Sequence, residues 1–471
     1  MKKFLKAVGV TFLSLAGLLI AVRFGLMAYF QFACPTPPIV DDRDLLLDET
    51  EIPADENAYV AILAITNELS GASVSGLVIS AYEKLCEGNE KLLKYWREDA
   101  TPEICRAEID RILAECAEGL AGLHRALKLP QYRLTPDSER LFFPPISALT
   151  LAHTLLRVQA FRAYEKGNFA VMLEAARDAS LLSTLIRDNA SSVVECFVGV
   201  ALNDVICRKM VLLANEANIS DDSLASFAEL LSTDFDEDSL FKQTLKREYM
   251  NFSRKVFETI DDKISENELR QMLQETEKLF SLTGRRKLCP AGLLMSSAFV
   301  RFAYNKELSR QNMADVFRAG LAGRNLDEVV SMPDSCFRPN FVGRSLIRTC
   351  LPTFDGLRCR LRSSLFYLRA ARTVVAILRY CRAHDGARPA DLSALVPTYL
   401  SEVPSDPFAS DRALGYDAER GFVWTVGDDG AFNPFETGDR SNSTFDRKMA
   451  KYTLRLDGKP YSVDREKGSG K

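Results

Sequence analysis

With 471 residues, 47% of them hydrophobic, the chain can bury a sizeable core in two or three folded units, which excludes disorder as the default reading. Its 64 acidic and 60 basic residues leave a formal charge of −4, so no whole-molecule field gathers nucleic acid and a DNA- or RNA-binding role is not expected. The 11 cysteines include no CxxC pair and read as small buried hydrophobes, with one or two disulfides left open if the chain is exported.

The N-terminus carries the strongest compositional signal. Lys2, Lys3 and Lys6 precede AVGVTFLSLAGLLIAV, an uncharged apolar run over 7–22, and after Arg23 the apolar character resumes in FGLMAYFQFA. A cleaved signal peptide has a shorter core and a small-x-small cleavage site, so residues 1–33 are expected to form a membrane anchor with its single transmembrane helix within 4–33. Eight acids fall within 35–58 against the single base Arg43, and lysines before the span with acids after it place the N-terminus in the cytoplasm and the bulk outside it. The rival reading, a lipid-bearing Cys34, lacks the aliphatic residue three places upstream.

Residues 34–54, opening CPTPPIVDD, read as a Pro-stiffened acidic spacer. A large helical domain is expected over 55–385. Apolar residues recur at helical spacing over 55–88 and 102–123, and 148–187 holds two amphipathic runs broken at Gly167-Asn168, an antiparallel helical hairpin. That hairpin is like one tetratricopeptide unit, but no second copy follows at a fixed period. Asn203, Asp204 and Arg208 interrupt VVECFVGVALNDVICRKMVLLANEA, making it a core helix and not a second span. Helical segments follow at 222–232, 237–259 and 264–281. The last, from Leu361 to about Ala383, has a basic stripe of Arg362, Arg369, Arg372, Arg379 and Arg382. Two readings of the stripe stand: pairing with acids of the same domain, or contact with anionic lipid headgroups.

From 386 to 471 the pattern changes to a small α+β tail. RPADLSALVPTYL reads as one short helix, LGYDAE and GFVWTVG as strands around a turn, and KYTLRLDGKPYSV as a hairpin turning at Asp457-Gly458. The fold class is therefore mainly α, with an N-terminal transmembrane helix, a large helical domain and a small α+β C-terminal tail.

Catalytic signatures are sparse. There is no GxGxxG or GxxxxGK[ST], GASVSG at 71–76 is not a nucleophile elbow, and His124, His153 and His384 have no metal-ligand spacing. His153 lies in a helical run and reads as a hydrogen-bonded core or groove residue. The best-defined chemical cluster is VGDDGAFNPFETGDR, where glycines let loop oxygens converge on a hard cation such as Ca²⁺, or leave a solvated acidic loop.

The stretch AILRYCRAHDGARPADLSALVPTYLSEVPSDPF, followed by LGYDAERGFVWTVGDDG, is similar to the tail of type II secretion major pseudopilins. Those have a helix, Y-x-x-x-x-G-x-x-P, a short helix ending L-V, D-P-F/W, an aromatic-containing strand and S-x-G-x-D-G. The resemblance implies a structural Ca²⁺ with Asp428, Asp429 and Asp439 as candidate ligands. Arg388 replaces the usual tyrosine of G-R-Y-P, and the prepilin-peptidase site is missing before the apolar run. The whole layout resembles uncharacterised membrane-anchored bacterial envelope proteins. That resemblance brings no activity with it; the combination of anchor, tail and sparse catalytic signatures leads to the expectation of a non-enzymatic protein of the bacterial inner membrane, single-pass, with a periplasmic or extracytoplasmic bulk that binds a protein partner or self-assembles. Two other expectations stand beside it: an envelope hydrolase or lyase using carboxylates of the helical domain, and an atypical type II secretion system subunit.

Overall fold

The computed structural model describes residues 40–48, 52–71, 103–134, 146–216, 219–232, 234–259, 303–324, 338–350, 354–435 and 451–458, together with scattered single residues. The chain is mainly helical with a small sheet region near its C-terminus. Numbered in chain order, the helices are α1 Ala58–Gly71, α2 Glu103–Glu115, α3 Ala117–Ala126, α4 Ile146–Glu165, α5 Phe169–Asp188, α6 Val193–Ala214, α7 Asp221–Leu230, α8 Glu237–Glu248, α9 Arg254–Thr259, α10 Lys306–Leu321, α11 Phe341–Cys350 and α12 Phe354–Ala383. The strands are β1 Ser405–Asp406, β2 Ala409–Ala413, β3 Gly415–Asp417, β4 Phe422–Trp424 and β5 Thr453–Arg455.

Two compact units alternate along the sequence: Met1–Glu49, Pro136–Phe142 and Leu245–Thr353 form the smaller, and Thr50–Thr135, Phe143–Thr244 and Phe354–Lys471 the larger. The residues expected as one helical domain over 55–385 are thus shared between two units, and the tail belongs to the same unit as α12.

In the larger unit the hairpin forms as its local chemistry dictates. Gly167 takes φ +71°, a conformation only glycine adopts without strain, and Asn168 caps α5 by accepting the Val171 amide at 3.3 Å. Such a cap stabilises a helix by about 1 kcal/mol. Leu149, Ala152, Leu155 and Leu156 of α4 are buried, as are Met172, Ala175, Ala176, Ala179 and Leu182 of α5, and the two helices pack along their length. α6 packs on α5 and on α12, with residues buried all round it. Two of its three polar interruptions pair with α12: Asn203 Nδ2 donates to Ser364 Oγ at 3.2 Å, and Arg208 Nη2 donates to Tyr367 Oη at 2.6 Å while stacking over that ring.

The arginine stripe of α12 is consumed within the unit. Arg362 pairs with Glu237 at 3.1 Å, Arg369 with Asp234 at 2.8 Å and Arg382 with Asp221 at 3.2 Å. Arg372 donates to the Ser232 carbonyl at 3.0 Å, and Arg379 lies over the Tyr399 ring. The reading in which the stripe meets acids of its own fold is the one the structure bears out.

α12 closes at Gly386, whose φ of +85° lets its amide reach the Cys381 carbonyl at 2.7 Å. The short helix expected next is only a 3₁₀ turn over Leu392–Leu395, because Val396 must be extended ahead of Pro397. β1 and β2 form a two-stranded ladder, and β3, β4 and β5 an antiparallel sheet with β4 in the middle. β3 and β4 match the strands expected around the turn. β5, the first strand of the expected hairpin, pairs with β4, Val423 opposite Leu454, and the hairpin's second strand lies outside the described residues. Phe422 and Val423 are buried, so the central strand takes neighbours on both edges. Residues after 458 lie outside the described residues.

In the smaller unit, residues of the expected spacer are packed. Leu45 is fully buried, Asp42 accepts a hydrogen bond from Tyr249 Oη at 2.8 Å, and Arg318 of α10 grips Asp44 through two nitrogens at 2.7 and 2.8 Å. That fork holds the Asp44 carboxyl below its usual range. Of the expected anchor, Gly17, Ala21, Val22, Phe24, Gly25, Ala28, Tyr29 and Phe32 are described, all helical and all exposed. Among the described residues no helix is long and apolar enough to cross a membrane, and the rest of 4–33 lies outside them.

Candidate functional site

The acidic loop follows β4 directly, and Asp406 fixes its start. This aspartate of the D-P-F motif is 2% exposed; it accepts from the Phe408 amide and from Thr425 Oγ1 through Oδ1, and from the Val426 amide at 2.9 Å through Oδ2. Arg388 donates to the carbonyls of Ala418 and Glu419 at 2.6 and 3.1 Å, so the residue in the tyrosine position of G-R-Y-P clamps the β3–β4 turn. Gly415 sits under the Trp424 indole, where a Cβ would lie 2.1 Å from the ring.

Asp428 is already committed. Its Oδ1 accepts from Tyr452 Oη, and its Oδ2 from Lys451 Nζ at 3.1 Å, with Cys359 Sγ of α12 at 3.6 Å. The Tyr452 hydroxyl first, then Lys451, hold this carboxyl below its usual range against the opposing effect of partial burial. Asp429 Oδ1 accepts from the Ala431 amide at 3.1 Å and braces the loop. Asp439 lies outside the described residues. Among the described residues no three His, Cys, Asp or Glu side chains form a metal-binding group. A cation at Asp428 has to displace the Lys451 ammonium.

The histidines differ from each other. His153 is fully buried on α4 with neither ring nitrogen hydrogen-bonded to a described residue, and burial, helped by the Arg157 charge, pushes its pKa down to about 3. It is a neutral core residue, as its helical setting suggested, but without the expected hydrogen bond. His124, near the C-terminus of α3, is held between two carboxylates of α5: Nδ1 lies 2.7 Å from Asp178 Oδ2, and Nε2 lies 3.0 Å from Glu174 Oε1. Asp178 is buried, and burial raises its pKa against the lowering effect of the His124 hydrogen bond. The three side chains border an open cleft of about 610 Å³ whose other lining includes Leu120, Arg162, Ala163 and Lys166. Arg162 binds Asp110 of α2 and Glu165, both at 2.7 Å, and Lys166 binds Asp110 at 2.8 Å, so the two cations are matched by two carboxylates.

The chain matches no known protein family, no curated protein and no solved structure. Its chemistry is therefore argued from these residues alone. Sequence reading missed the His124 site because its members stand 50 and 54 positions apart, on helices whose pairing no local motif announces.

Proposed function

We propose that this is a membrane-anchored bacterial envelope protein, its exported helices forming an interaction module that carries a pseudopilin-like tail. The supporting observation is the construction of the tail. A long helix, a 3₁₀ turn, a buried D-P-F aspartate, an aromatic strand and an acidic loop follow in the order of the resemblance, with β4 and β5 packed on α12. The exposed Val22, Phe24, Tyr29 and Phe32 on helical backbone are apolar surface of the kind a bilayer covers. Expressed in a bacterium, the full chain is expected in the inner-membrane fraction, resistant to carbonate extraction and open to protease from the periplasmic side. Deletion of residues 1–33 should release it. A full chain that stays soluble overturns the anchor.

Calcium at the tail, through Asp428, Asp429 and Asp439, is part of this proposal. Millimolar Ca²⁺ is expected to raise the melting temperature relative to chelator, and Asp428→Asn to abolish the difference. Equal melting with and without calcium removes the ion. A second reading, an envelope hydrolase or lyase, has one observation in its favour: the convergence of Glu174 and Asp178 on His124.

A further inference from the structure

Helix α11 of the smaller unit begins on donors and cations. Asn340 is its capping residue, since the Asn340 carbonyl accepts from the Arg344 amide at 2.9 Å. The Asn340 side chain is fully buried and turned toward the start of α10, where Oδ1 accepts from the Asn305 amide at 3.0 Å and lies 3.0 Å from Ser309 Oγ. A backbone N–H can only donate, so Asn305 fixes which end of the Asn340 amide is oxygen and leaves Nδ2 a donor, with no acceptor among the described residues. One turn on, Arg344 Nε is likewise buried without an acceptor among them. Burial, and then the charge of the exposed Arg338, hold Arg344 below the ordinary guanidinium range. We propose that Asn340 Nδ2, Arg344 and Arg338, at the N-terminus of α11, form a binding site for a phosphate group.

The chemistry of these groups selects the ligand. Both unpartnered atoms are N–H donors and both side-chain charges are positive, so the missing partner is an anion that only accepts. The first amides of a helix have no partner within it, and the dipole is positive at that end, which adds to the same demand. Three donor groups around one ligand suit a tetrahedral oxyanion, and guanidinium forks match its oxygens. The acids of α10 do not supply that charge: Glu307 pairs with Arg310 at 3.2 Å and Asp315 with Arg318 at 3.1 Å. Gly343 lets the Asn340 amide lie against the helix, because a Cβ there would stand 2.4 and 2.6 Å from its oxygen and nitrogen. Arg344 is only half-buried, which gives the ligand a way in. The phosphate is that of an anionic lipid headgroup or of a soluble ion. Residues 1–49, which hold the expected anchor, belong to the same unit as α11, and the lipid source alone rests on the membrane-anchored reading.

The test follows thermal melting of the full-length protein in nonionic detergent, in chloride, acetate or inorganic phosphate at matched ionic strength. The same melts are run in nanodiscs of phosphatidylcholine with and without phosphatidylglycerol. Phosphate or phosphatidylglycerol should raise the melting temperature by about 3 °C. A rise with phosphatidylglycerol alone assigns the site to lipid, and a rise with inorganic phosphate assigns it to a soluble ligand. Arg344→Gln should lose most of the rise. Asn340→Asp keeps an oxygen for Asn305 but puts an anion where the donor was, so it is expected to melt above the parent in chloride and to gain nothing from phosphate. No rise in either system, an equal rise in acetate, or a rise retained in Arg344→Gln overturns the proposal. Fractionation tests anchoring separately, and a chain that proves soluble must still show the rise with inorganic phosphate.

Discussion

Gly199→Ala is expected to destabilise the larger unit by about 3 kcal/mol, the upper end of the usual cost of overpacking. A Cβ at Gly199 on α6 would lie 2.5 Å from the Arg187 amide nitrogen and 2.7 Å from its Cα on α5. These are backbone atoms, so the clash is relieved only by moving one helix. Arg187 is also anchored, 2% exposed, stacked over Phe235 at 4.0 Å and paired with Asp188 at 2.6 Å. Alanine's helix propensity returns only about 1 kcal/mol. Gly122→Ala is the control. Its Cβ meets the tip of Ile65 at 3.2 Å, a side-chain end that can turn aside, so the propensity gain is expected to cancel most of its cost. Thermal melts should show a fall of several degrees for Gly199→Ala and little change for Gly122→Ala. Equal melting of the two variants sinks the close-approach argument.

These glycines mark what was legible in the sequence. Gly167-Asn168 could be read because its consequence is local: one residue turns the chain and the next caps the following helix. Gly199 lay in plain view within an apolar helix, yet only the three-dimensional pairing of α5 with α6 shows what it admits. The acids of residues 41–44 illustrate the opposite failure. Read as part of a Pro-stiffened acidic spacer, Asp42 and Asp44 are spent on Tyr249 and Arg318, more than 200 positions away, and no local pattern records such a pair. In the tail, alternation and turn chemistry located β3 and β4, whereas the pairing of β5 depended on which strand had an open edge. The candidate calcium loop was legible as chemistry but not as geometry, because Lys451 and Tyr452, which occupy Asp428, stand 23 and 24 positions downstream.

Asp204→Asn is expected to stabilise the protein at pH 8 and to make little difference near pH 4. Asp204 Oδ1 is fully buried between α6 and α12 without a hydrogen-bond partner among the described residues. Burial raises the carboxyl pKa to about 7, against a hydrogen bond from Ser364 and the charges of Arg208 and Arg360, which act in the opposite direction. The folded state therefore holds a proton that the unfolded chain has lost above its ordinary 3.8. Between those values folding takes up a proton, so this residue's contribution to stability falls as pH rises from about 4 toward 7 and stays low above it. The full penalty on the charged form is at most about 4 kcal/mol, and asparagine, neutral at every pH, escapes it while keeping a side-chain oxygen for Ser364. Its amide finds no dedicated acceptor and the attraction to the arginines is lost, so a net gain of about 1–3 kcal/mol at pH 8 is expected. Denaturant melts of parent and variant from pH 4.5 to 8.5 measure it. The gap should open through pH 5–7 and then level off. A constant gap, or a variant weaker than the parent at pH 8, would mean that Asp204 is stabilised as the anion by Arg208 and Arg360, and that the α6–α12 interface is held by an ion pair and not by a protonated acid.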